Sequence, residues 1–171
     1  MLEEKDAMLI LQRYRHDILN ELQLVSGYLQ LGNAKKAEAL LQNFFEHMQE
    51  ERKLTQLQIP AFSLWLIEFN HTHPRYQLSY EVWADGNWEP LDRILLEKAN
   101  AIIGLLDRNL TDGEVYSIHI CLKEEKSDPF VKMMEVSMKG PDIDKLKLEE
   151  MKDIAVSYRE ESISFVFSTT V

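Results

Sequence analysis

Residues 8–34 read MLILQRYRHDILNELQLVSGYLQLGNA, and this stretch decides the fold. Apolar side chains fall at Met8, Leu11, Ile18, Leu22, Val25 and Leu29, with spacings of 3, 7, 4, 3 and 4. That pattern is a heptad seam with one gap, at Arg15. No proline interrupts residues 3–31, and the first glycine is Gly27. The segment therefore predicts one amphipathic helix of about 40 Å, at about 1.5 Å per residue. Gly32-Asn33 is a helix stop and tight turn. Ala34 opens a second helix, with Ala37, Leu41, Phe44 and Met48 on one face, running to about Gln58 and ending before Pro60. Two long helices joined by so short a turn form an antiparallel hairpin. Each also carries a second apolar shoulder: Leu19, Leu24 and Leu31 on the first, Leu40 and Phe45 on the second. A lone hairpin leaves those exposed, so the expected assembly is a homodimer closing a four-helix bundle.

Beyond Pro60 the texture changes. Residues 61–70 read as a short buried helix and Tyr76 to Trp83 as a half-buried strand. Asp85-Gly86-Asn87 is a turn, Leu91 to Leu110 an amphipathic helix, and Thr111-Asp112-Gly113 its end. Glu114 to Lys123 and Phe130 to Met138 pair as strands around Ser127-Asp128-Pro129. After the Gly140-Pro141 break, Asp144 to Lys152 reads as a short helix and Ser162 to Thr170 as a last strand. The fold class is thus α plus α/β: a helical hairpin over 1–58, then a small α/β sandwich over 59–171, one sheet with helices on one face.

At 171 residues and 45% apolar the chain is globular rather than disordered. A net charge of −10 argues against DNA, RNA and anionic membrane surfaces as partners. The lone Cys121 cannot form an internal disulfide, and in its strand it reads as a small buried hydrophobe. No apolar run reaches the length of about 18 residues that a membrane helix needs. The acidic start lacks a signal-peptide core, so the expected location is the cytoplasm. That start and the C-terminal strand read as the ends of a complete chain.

Chemistry concentrates at the gap in the first seam. Arg15 occupies the seam position itself. His16 lies about 100° further round, beside the seam rather than in it. Gln12 and Asn20 sit four residues before and after His16, forming a polar column, and Asp17 adjoins it. A lone exposed histidine on a charged helix usually does nothing. Here a nucleophile, a cation and a carboxylate share one patch, and neutral imidazole is a competent phosphoryl acceptor near neutral pH.

The run Arg15-His16-Asp17-x-x-Asn20-x-Leu22-Gln23-x-x-x-Gly27-x-Leu29-x-Leu31 resembles the phosphohistidine helix of the sporulation initiation phosphotransferase B family. It is also similar to the dimerisation helix of citrate/fumarate-type sensor histidine kinases, and the likeness continues through Glu51-x-Lys53-Leu54 to Pro60. The resemblance implies a dimeric four-helix bundle with His16 protruding. It implies partners too: a donor response regulator brings a phospho-aspartate, with Mg²⁺ bound to that regulator, to His16. A second regulator then takes the phosphoryl group. In that reading His16 is the nucleophile, Asp17 holds the imidazole tautomer and Asn20 hydrogen-bonds near the transferring group. Exposed Leu19 and Gln23, with Gln12, form the regulator footprint. Arg15 has two readings: it steadies the phosphoryl charge, or it is a polar seam residue that fixes register. Control of sporulation follows from the resemblance alone.

A kinase of this family also needs a nucleotide domain. The six glycines include no two within four residues, so no glycine-rich phosphate loop is available. The segment 102–109, Ile-Ile-Gly-Leu-Leu-Asp-Arg-Asn, looks like a decayed asparagine helix, with Arg108 or a misplaced Asn109 where the kinases reach Mg²⁺. The second domain therefore resembles a kinase ATPase fold without a nucleotide site; no ATP, metal or other cofactor is expected on this chain. His71 and His73 have no further ligand nearby in sequence to complete a zinc site. His47 reads as packed or solvated, and His119 as a residue of a strand's polar face. Trp65, Trp83 and Trp88 read as core or rim. Two functions stay open: a phosphotransferase passing phosphoryl groups between response regulators, and a non-catalytic dimeric module that binds and modulates a regulator or kinase.

Overall fold

A computed structural model describes residues 4–111, 113–159 and 161–170. Asp112 of the expected turn, and Met1 to Glu3 of the acidic start, lie outside them. The chain divides into two compact units, Met1–Glu51 and Arg52–Val171.

The first unit is the hairpin of α1 (Glu4–Gln30) and α2 (Ala34–Gln56), whose last turn falls in the second unit. The turn is held by its own backbone. Gly32 takes φ +71°, a conformation glycine adopts without strain. Asn33 N–H donates to Tyr28 O at 2.9 Å and Gly32 N–H to Leu29 O at 3.0 Å, a Schellman closure of α1. Asn33 Oδ1 then accepts from Lys36 N–H at 3.2 Å, capping α2. One dipeptide stops one helix and starts the next.

The seam read from sequence is only partly covered within the hairpin. Ile10, Tyr14, Ile18, Val25 and Tyr28 are half-buried, but Met8, Leu11, Leu22 and Leu29 remain 43–58% exposed. No described residue of α1 is fully buried, and in the described part of the first unit only Ala37 is. The heptad counting merged two faces of α1: one turned to α2, the other left open.

The second unit contains α3 (Pro60–Thr72), β1 (Tyr76–Trp83), α4 (Asp92–Asn109), β2 (Tyr116–Glu124), β3 (Val131–Lys139), β4 (Ala155–Arg159) and β5 (Ser162–Thr170). Strand order is β1-β2-β3-β5-β4. β1 and β2 run parallel, as a connection through α4 permits, and the other neighbours are antiparallel. Alternate residues of β1 and β2, from Tyr76 to Val82 and Tyr116 to Leu122, are buried. With Met134, Val136, Met138, Ile163, Phe165 and Phe167 they join Phe62, Leu66 and Phe69 of α3 and Leu95, Ile102 and Leu106 of α4 in one core. Leu54, Leu57 and Ile59 belong to that core too.

The helix expected over Asp144 to Lys152 does not form. A single 3-10 turn, Ile143–Lys145, gives way to extended chain and then β4, so the sheet has five strands rather than four. Leu146 and Leu148, two residues apart, are both partly buried against the core, which suits extended backbone and not a helix. Trp88 is fully buried, whereas Trp83 is 69% exposed. Cys121 is half-buried beside Glu81 and Glu135 on the sheet's polar face, because the even residues of β2 take the core side.

Asp92, the first residue of α4, caps α3 across the fold. Its carboxylate accepts from Ala61 N–H at 3.1 Å and Phe62 N–H at 2.8 Å, two donors the helix itself leaves unmatched. Asp92→Ala is expected to cost about 1–2 kcal/mol in denaturant melts, with Asn recovering part of it. An unchanged midpoint for the alanine variant would show that the cap adds nothing.

Candidate functional site

His16 stands near the middle of α1, its side chain 72% exposed. Asn20, one turn on, brings Nδ2 to 3.1 Å from His16 Nδ1. Asp17 Oδ1 lies 3.4 Å from the same nitrogen. The two neighbours make different demands. An amide N–H facing Nδ1 requires the ring proton on Nε2. The Asp17 carboxylate accepts only, and favours the proton on Nδ1. Rotating the Asn20 amide presents its carbonyl to that same proton. In the second arrangement both residues hold Nδ1–H and leave the Nε2 lone pair available.

Of the expected residues, His16, Asp17 and Asn20 are joined by hydrogen bonds. Gln12, Leu19 and Gln23 are exposed on the same helix. Arg15 is exposed in an apolar patch with Met8, Leu11, Ile18 and Leu19.

Sequence reading missed Tyr14. Its hydroxyl donates to Glu51 Oε1 at 2.8 Å across the hairpin, near Met48 Sδ at 3.8 Å. The signal was available, since in a hairpin turning at 32/33 the positions 14 and 51 stand opposite. Burial, and then Glu51 as proton acceptor, push the Tyr14 phenol up to about 12. The folded value exceeds the unfolded one, so this contribution to stability is full below pH about 10 and is lost as pH rises through about 12. Tyr76, buried and donating to Asp107 at 2.7 Å, is raised as well. Tyr14→Phe is expected to remove one late-titrating phenol from an NMR pH titration and leave the Tyr76 one. An unchanged count of late phenols would contradict the pairing.

Residues 1–57, both helices of the hairpin, match the family model of the sensor-kinase SpoOB-type alpha-helical domain. The hairpin matches the SpoOB-type helical domain. The resemblance carried by the motif around His16 is thereby shown for the hairpin, a third of the chain. No curated protein matches the sequence. Among solved structures, a blue-light activated histidine kinase of Erythrobacter litoralis EL346 is similar with a TM-score of 0.42 and 15% identity, over 99% of this chain and 61% of that one. The chain thus spans about three fifths of that kinase, and the likeness is too loose to transfer a fold or an activity.

In the second unit, the segment that resembled an asparagine helix lies at the end of α4. Its polar groups serve the unit itself: Asp107 accepts from Tyr76 and pairs with Arg75 at 3.6 Å, and Asn109 donates to Leu105 O at 2.8 Å. His71 and His73 end α3, where His73 stacks on Phe69 at 4.3 Å. His119 faces Ser79 and Glu81 on the sheet's polar side. Among the described residues no group of three or more metal-ligating side chains occurs, and no helix is long and apolar enough to cross a membrane.

Proposed function

We propose that the protein is a phosphorelay phosphotransferase that accepts a phosphoryl group from a phospho-aspartyl response regulator onto His16 and returns it to a second regulator. The observation that carries this is the exposed His16 of a SpoOB-type hairpin with Nδ1 flanked by Asn20 and Asp17. The reactive ring holds its proton on Nδ1. Nε2 attacks phosphorus, the phosphorus–oxygen bond to the regulator's aspartate breaks, and that carboxylate leaves with the electron pair. The resulting phospho-imidazolium keeps Nδ1–H against Asp17, which offsets its charge. Reversal onto another aspartate completes the relay. The chemistry needs positioning and charge neutralisation, the latter aided by Mg²⁺ on the regulator.

Two copies form the working unit. The open stripe Met8, Leu11, Leu22 and Leu29, on a hairpin with almost no buried side chain, supports closure of a four-helix bundle with a second copy. With no two glycines within four residues of each other, the second domain offers no glycine-rich phosphate loop, which supports a reading without ATP and without autokinase activity. Control of sporulation initiation, in the cytoplasm, is the process the family resemblance supports.

The test mixes the protein with a single-domain response regulator carrying labelled aspartyl phosphate. Label is expected on this chain, acid-labile and base-stable, and no label from ATP. If several competent regulators transfer none, the non-catalytic binding module takes the reading's place.

A further inference from the structure

Between β3 and β4 the chain runs through residues 142–154, with eight charged and five apolar side chains. Both ends of this segment use the same device. Asp142 and Asp153 hold left-handed backbone, φ +57° and +61°, a conformation that is strained for any residue but glycine. Each is followed by a buried isoleucine, Ile143 and Ile154. Between these two pins the hold is lighter. Leu146, Leu148 and Met151 are only half-buried against the core, and the five charged residues from Lys147 to Asp153 are exposed. Among the described residues its one β-bridge, Met151 with Ile154, closes within the segment.

Two side chains fasten it from outside. Lys98 of α4 donates to Lys152 O at 3.2 Å and pairs with Asp153 Oδ2 at 3.3 Å. The Lys98 side chain is 22% exposed, and its ammonium stands 5.4 Å from the centre of the Phe167 ring of β5. The stem is thus packed while the charge meets two acceptors on one turn of the segment. Tyr158 of β4 accepts from Leu148 N–H at 3.1 Å. Lys145 pairs with Asp142, three residues away, and so fastens nothing to the rest of the unit. Release restores water to the charges and relaxes the backbone at Asp153, and only three half-buried apolar side chains oppose it. Segments held this lightly open at a small fraction of the global free energy.

We propose that residues 142–154 are a strap that opens as one unit while the sheet stays paired. Lys98 is its latch and sets how often the core face under Leu146, Leu148 and Met151 is uncovered. The device is independent of phosphotransfer at His16.

The test is hydrogen exchange of single amides, followed by NMR on the full chain. The reporters are Leu146 N–H, bonded to Ile143 O, Leu148 N–H on Tyr158, and Ile154 N–H, bonded to Met151 O. In the wild type they are expected to share one opening constant and to exchange well ahead of the β2 and β3 amides. Lys98→Met keeps the stem and removes the ammonium. It is expected to raise exchange at all three reporters about tenfold and leave the sheet amides unchanged. Tyr158→Phe removes a partner of Leu148 alone, yet is expected to raise all three alike, since a cooperative unit shares its opening. Acceleration confined to Leu148 in Tyr158→Phe overturns the strap, as do reporters that exchange only together with the sheet. Unchanged reporters in Lys98→Met overturn the latch. Should Lys98→Met fail to fold, Asp153→Asn keeps the left-handed turn and removes only the charge pair, with a smaller rise expected at the same three amides.

Discussion

His16→Gln is expected to take no label from any phosphorylated regulator, while melting and sedimenting as the wild type does. The side chain is 72% exposed and its hydrogen-bond neighbours lie on the same helix, so removing it leaves no cavity. Glutamine keeps a polar group beside Asn20 and Asp17 and favours the helix slightly more than histidine. What disappears is the nucleophile, for which an amide is no substitute. The loss is thus total in chemistry and close to zero in stability. Residual label in this variant would mean that another group carries the phosphoryl. Asp17→Asn separates position from charge: the ring keeps a neighbour but loses the carboxylate facing Nδ1, so transfer slows without vanishing.

The second large effect is structural. Leu22→Asp puts a carboxylate into the open stripe of α1, where the leucine is 43% exposed in the single chain. If that stripe closes a bundle, each copy loses about 2 kcal/mol of apolar burial and gains an unpaired charge at about the same cost. Two copies contribute, so the dissociation constant is expected to rise by at least about four decades, and the variant to sediment as a monomer. The first unit has almost no buried side chain of its own, so the monomer is also expected to lose helix signal at lower temperature. A Leu22→Asp chain that stays dimeric would move the interface off this stripe. Leu54 and Leu57, in the core of the other unit, are outside that interface, so the second unit's melting is expected to persist.

Much of this architecture was legible because local chemistry and tertiary demand agree. Gly32-Asn33 marks the hairpin turn in sequence, and the structure uses both residues, one to stop α1 and one to cap α2. Tyr76 to Trp83 and Ser162 to Thr170 are strands with the expected bounds, because alternating polarity is unambiguous on a one-sided sheet. Where the reading failed, two periods competed. The stretch after Asp144 has enough charge to look like an exposed helix, but Leu146 and Leu148 turn to the core as extended chain does. β4, five residues long and exposed at all but Val156, has too little pattern to be seen before its partner β5 is known. In the site, His16, Asp17 and Asn20 were legible from helical spacing. The Tyr14–Glu51 pair needed the hairpin's register.

The proposed relay turns on one covalent bond, and the most direct measurement locates it. The protein is phosphorylated by a labelled single-domain response regulator, held at alkaline pH, and mapped by peptide mass spectrometry and phosphorus–nitrogen correlated NMR. The prediction is one phosphoramidate, at Nε2 of His16. Phosphate on a carboxylate, on another histidine, or nowhere on the chain while the regulator loses its label to water would contradict it.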